Sequence, residues 1–147
     1  MTTNNDAAVR LGGQPSVLSR GSRSLRQWWI IITTLLALAV FAEAIFAGAM
    51  LSGADWAQKA HAATAVVLIA SGIAASLAAV IRLWRVSQGR RLALSLLSLA
   101  VLLFVQAGLG TLSAKGANLL WAHVPLGAAL VSFATQAALR AYRLGQD

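Results

Sequence analysis

The chain has 147 residues, of which 59% are hydrophobic and 11% charged; its formal net charge is +8 and it has no cysteine. A soluble domain carries about 25% charged residues, so one small domain could not hide this apolar surplus in a soluble core, and lipid is the solvent it implies. The lack of cysteine excludes disulfides and thiolate metal sites, and the positions of the basic residues, traced below, make them a topology signal and not a nucleic-acid surface.

Residues 1–27 are polar and contain Gly12, Gly13 and Pro15; this composition predicts a loose cytoplasmic tail. Four stretches then reach the roughly 20 apolar residues that a membrane span needs: about 28–51, 60–84, 92–112 and 119–142. Helix is the expected form of each, because a backbone in lipid must satisfy its own hydrogen bonds and four strands cannot close a barrel. The first stretch is too long for a signal-peptide core and reads as a retained anchor. The expected fold is all-α: a four-helix transmembrane bundle over 28–143 with up-down-up-down topology.

Arg10, Arg20, Arg23 and Arg26 precede the first span, Arg82, Arg85, Arg90 and Arg91 flank the second link, and Arg140 and Arg143 end the fourth span. If every span crosses, these ten residues share one side, and only Lys59 and Lys115 lie on the other. The positive-inside rule makes the Arg-rich side cytoplasmic, with both termini there and a bacterial plasma membrane as the expected location. Attraction to anionic lipid follows from the same charges. Trp28, Trp29, Trp84 and Tyr142 fall at the expected cytoplasmic ends and Trp56 and Trp121 near the outer ends, where aromatic belts form.

The chain also reads as one helical hairpin repeated in parallel. Phe41-Ala42-Glu43-Ala44 matches Phe104-Val105-Gln106-Ala107, and Glu43 and Gln106 precede His61 and His123 by 18 and 17 residues. A parallel repeat has its axis along the membrane normal. The two histidines, the only ones in the chain, then lie at one depth, roughly 7 Å inside the outer boundary. In an up-down-up-down bundle they sit on diagonal helices and can face each other across the core.

Two facing imidazoles are too few ligands for zinc, but they suffice for haem iron, which takes axial histidine. Thr64 and Ala65 one turn beyond His61, and Gly127 one turn beyond His123, leave room for a flat apolar ring. Lys59 and Lys115 are candidates for the haem propionates. Glu43, roughly 12 Å deep, is expected to be protonated or paired, and Gln106 sits at similar depth. An interhelical hydrogen bond is the plainer role for both, and for a lone interfacial histidine as well. Pro125 removes one backbone bond near the start of the fourth helix, which membrane helices tolerate. Small residues, including Gly72, Ala75, Gly108 and Gly110, permit close helix approach. No Ser-His-Asp set, phosphate loop or paired carboxylates stand out.

The stretch Gln106-Ala107-Gly108-Leu109-Gly110, followed by Ala122-His123-Val124-Pro125-Leu126, resembles the third and fourth helices of one half of a haem A synthase, over about residues 28–142. That family consists of two fused four-helix bundles with histidines at the outer ends of their second and fourth helices. Gln58 stands where the catalytic half carries a glutamate, and the outer-loop cysteines of many members are absent. The resemblance therefore implies the half that holds haem b as a cofactor, with His61 and His123 as ligands to its iron. Electron transfer or haem handling in a respiratory assembly is the expected function, more than enzymatic activity. A cofactor-free accessory subunit of a larger membrane complex and a haem-modifying enzyme are the alternatives; other subunits or a second copy are the expected protein partners, beside the lipid bilayer.

Overall fold

The structure is a computed structural model that describes residues 20–146. It contains four helices, α1 (Arg20–Leu51), α2 (Asp55–Leu83), α3 (Ser87–Ala114) and α4 (Leu120–Tyr142). Their lengths of 32, 29, 28 and 23 residues correspond to about 35 to 48 Å, enough for a hydrocarbon core of about 30 Å. All four are long and apolar enough to cross a membrane, and the chain is an integral membrane protein. Each helix packs against its chain neighbours, and α4 closes the ring on α1, leaving α1–α3 and α2–α4 as the diagonals.

The helices extend beyond the apolar stretches that the sequence predicts. α1 begins at Arg20, so residues 20–27, expected in the loose tail, are helical; residues 1–19 lie outside the described residues. Arg26 anchors this extension to the far end of the chain. Its Nε and Nη2 donate to the Tyr142 carbonyl at 3.3 and 3.0 Å, and its guanidinium lies over the Tyr142 ring, 5.5 Å from the centroid. Cations favour helix C-termini and aromatic faces. α2 starts five residues early, with Asp55 in its first turn, where a carboxylate complements the helix dipole. α3 likewise begins at Ser87, before Arg90 and Arg91.

The turns after α1 and α3 have matching backbones. Gly53 (φ 88°) and Gly116 (φ 96°) occupy left-handed conformations after α1 and α3. Ala54 N–H donates to Ala49 O and Gly53 N–H to Met50 O; Ala117 N–H donates to Leu112 O and Gly116 N–H to Ser113 O. Both sets are Schellman closures, which glycine accommodates without Cβ strain. Gly53 follows Glu43, and Gly116 follows Gln106, by the same ten residues.

Packing is uneven along the bundle axis. At the Arg-rich end the core is dense: Trp29, Leu36, Leu83, Leu92, Leu96, Ala137 and Ala141 are buried. Trp29, expected in the interfacial belt with Trp28, is only 3% exposed against 61% for its neighbour, because one residue of helix turns a side chain by about 100°. Thr33, also buried, satisfies its hydroxyl by donating to Trp29 O at 2.7 Å. Close approach of α2 to α3 depends on Gly72, where a Cβ would lie 3.2 Å from Leu103 Cδ1. At the opposite end, among residues 41–67 and 104–129, only Ala57 is buried. The histidine half of the bundle is therefore open, and its centre is polar.

Candidate functional site

Four polar side chains meet in that open half, one from each helix. Glu43 (α1) and His61 (α2) form a pair within the first hairpin, and Gln106 (α3) and His123 (α4) form a pair within the second. The two pairs face each other across the α2–α4 diagonal: the imidazole centroids are 6.4 Å apart, with their planes 85° from parallel.

Each ring is held at its Nδ1. His123 Nδ1 lies 3.1 Å from the Gln106 backbone carbonyl. A carbonyl can only accept, so Nδ1 carries the proton in this contact and Nε2 keeps its lone pair. Gln106 returns the interaction by donating from Nε2 to the His123 carbonyl at 2.9 Å, and the same amide nitrogen lies 3.4 Å from His123 Nε2. On the other side, Glu43 Oε2 lies 2.5 Å from His61 Nδ1. The other carboxylate oxygen, Glu43 Oε1, is buried without a hydrogen-bond partner. Gln106 Oε1 is also buried and unpartnered. Buried polar atoms without partners are uncommon, and here two of them, Glu43 Oε1 and Gln106 Oε1, lie beside the two histidines.

Glycines shape the second pair. A Cβ on Gly110 would lie 3.0 Å from His123 Cε1, and a Cβ on Gly127 would lie 3.0 Å from Gln106 Nε2. Gly127 is one of the residues the sequence singles out; the role of Gly110 in seating the imidazole is not visible there, since it depends on one interhelical distance. Gly108 has nothing within 4 Å of its would-be Cβ. Thr64 and Ala65 follow His61 on α2, half-buried, with no hydrogen bond from Thr64 to the cluster. Lys59 and Lys115 are exposed at the histidine end and do not join the cluster. Pro125 lies inside α4, which runs without a break from Leu120 to Tyr142.

Chemically, the arrangement offers two imidazole nitrogens as donors, each backed by an acceptor at the opposite ring nitrogen, which is how ligating histidines are usually oriented. Among the described residues, no group of three or more His, Cys, Asp or Glu converges as a site for a bare metal ion. A centroid spacing of about 6 Å is what two imidazoles would have on either side of one metal with metal–nitrogen bonds of about 2 Å. Two imidazoles from diagonal helices at this spacing are a donor set that could hold an iron porphyrin. No family model, curated protein or solved structure matches the chain.

Proposed function

We propose that the protein is a membrane b-type haem protein in which His61 and His123 are the two axial ligands, serving electron transfer or haem handling in a respiratory assembly. The observation that carries this reading is the 6.4 Å separation of two imidazoles from diagonal helices, each with an acceptor beside its Nδ1. Bound there, haem would supply a one-electron couple. The chain's own residues do the rest. Glu43 and the Gln106 carbonyl orient the rings and increase their donor strength, which is the usual role of groups behind a ligating histidine. Gly110 and Gly127 keep Cβ atoms away from His123 and Gln106. Lys59 and Lys115 stand at the same end of the molecule as basic groups available to propionates. Held by His61 and His123 together, a bound haem would supply electron transfer and would not readily take up oxygen, which favours an electron carrier over a haem-modifying enzyme.

In the sequence, ten arginines on one side of the spans against two lysines on the other would put both termini in the cytoplasm by the positive-inside rule, and the haem near the outer face of a bacterial plasma membrane. The reading is tested by purifying the protein from haem-replete cells and measuring haem per chain as the pyridine haemochrome. One haem b per chain, lost in His61→Ala and in His123→Ala, is the expected result. A colourless wild-type protein that is folded and helical overturns it. The four polar residues would then be an interhelical hydrogen-bond network in a cofactor-free accessory subunit, a role favoured by the 3.4 Å approach of the Gln106 amide to His123 Nε2.

A further inference from the structure

A second site lies at the Arg-rich end, remote from the histidines. The first turns of α1 and α3, the end of α2 and the C-terminal residues enclose a groove of about 470 Å³. Leu83, Val86 and Leu144 give it apolar walls, and Arg23 and Arg26 line it as well. Among the described residues, no acidic side chain lines it.

Three observations make this groove a receptor for an anion attached to an apolar body. First, Arg23 makes no hydrogen bond or ion pair among the described residues, and Arg26 uses only Nε and Nη2 on Tyr142, leaving Nη1 uncommitted. Second, the N-terminus of α3 borders the groove through Ser87 and Gly89. Its N-cap is Val86, which provides no side-chain cap. The positive end of a 28-residue helix attracts anions. Gly89 belongs to this close packing: a Cβ there would lie 2.5 Å from the Leu83 carbonyl oxygen. Third, Trp29 lines the groove although only 3% exposed, and its indole nitrogen is buried with no hydrogen-bond partner. Indole N–H groups in buried positions usually find an acceptor.

We infer that this groove binds one anionic phospholipid. The phosphate would lie with Arg23, Arg26 and the α3 N-terminus, an ester or glycerol oxygen would accept from the Trp29 indole, and the acyl chains would follow the apolar walls towards the hydrocarbon. Basic pockets between membrane helices recognise such headgroups, and the apolar walls select a lipid over a free phosphate. The site is independent of the haem reading and would exist in a colourless protein.

Thermal unfolding of the full chain in detergent tests the site, with phosphatidylglycerol, phosphatidylcholine or inorganic phosphate added. Phosphatidylglycerol should raise the midpoint by roughly 5 °C or more at saturation, with little effect of the other two. Arg23→Gln and Trp29→Phe should each weaken the lipid about tenfold, the loss expected for one strong hydrogen bond, while Arg85→Gln, outside the groove, should not. Should Trp29→Phe fail to fold, exposed Arg23 carries the comparison alone. Equal shifts with phosphatidylcholine, an equal shift with inorganic phosphate, or wild-type lipid affinity in Arg23→Gln overturns the inference. A photoreactive side chain in place of exposed Val86 should cross-link to phospholipid in membranes; cross-linking instead to residues 1–19 or to a second copy would overturn it in favour of that occupant.

Discussion

Gln106 grips His123 twice, accepting from the ring through its backbone carbonyl and donating to the His123 carbonyl through its side chain. The hydrogen-bonded ring can come this close because residue 110 has no Cβ. Gly108 and Gly110 therefore make a matched pair of tests. Alanine is favoured over glycine in a helix by up to about 1 kcal/mol, so Gly108→Ala, which meets nothing, should be neutral or slightly stabilising and keep its haem. Gly110→Ala presses on the imidazole and should lower haem content at equal protein yield, measured by haemochrome on both variants. On the opposite side, His61 is backed by the Glu43 carboxylate instead of a neutral carbonyl. An anion behind an axial histidine strengthens its donation to the metal and favours the oxidised iron. Glu43→Gln should raise the midpoint potential by roughly 50 mV, a little under tenfold for a one-electron couple. An unchanged potential in a redox titration would reduce Glu43 to a structural residue.

Helix ends and crossings carry the next set of constraints. Gly53 and Gly116 adopt positive φ in the two Schellman turns, a conformation that costs other residues about 1–2 kcal/mol. Gly53→Ala and Gly116→Ala should each destabilise by about that amount in detergent denaturation. Gly89→Ala should cost more, about 3 kcal/mol or above, because its Cβ would meet a backbone oxygen at 2.5 Å, which cannot rotate away as a side chain does. The centres of the four helices were legible in the sequence, since hydropathy alone selects them. Their ends were not, because Arg26, Asp55 and Arg90 are polar yet helical, and the carbonyl that Arg26 meets lies 116 residues away in sequence. The equal ten-residue spacing from Glu43 to Gly53 and from Gln106 to Gly116 was readable and would have placed both turns. Glu43, His61, Gln106 and His123 were legible as a set because the repeat puts them at matched positions. The seat that Gly110 provides required coordinates, as did the burial of Trp29.

Seen along its axis, the molecule has a dense arginine end and an open histidine end, and a membrane gives these ends different surroundings. The charge asymmetry predicts that fluorescent-protein fusions at either terminus emit, while alkaline phosphatase fusions at the same positions are inactive. Active phosphatase at both termini would invert the bundle and move the histidines to the cytoplasmic face. In lipid, the dense end is held by close packing and internal hydrogen bonds more than by a hydrophobic driving force, which accounts for the small residues Gly72, Ala75 and Ala79 along buried α2. The open end keeps four polar groups together, two of them imidazoles 6.4 Å apart, the arrangement on which the proposed haem site rests. Electron paramagnetic resonance of the oxidised protein, as purified from haem-replete cells, bears on that arrangement most directly. A low-spin ferric signal of bis-imidazole type, replaced by a high-spin signal or lost in His123→Ala, is the predicted result. A high-spin ferric signal in the wild type, or no haem signal in a folded protein, would contradict it.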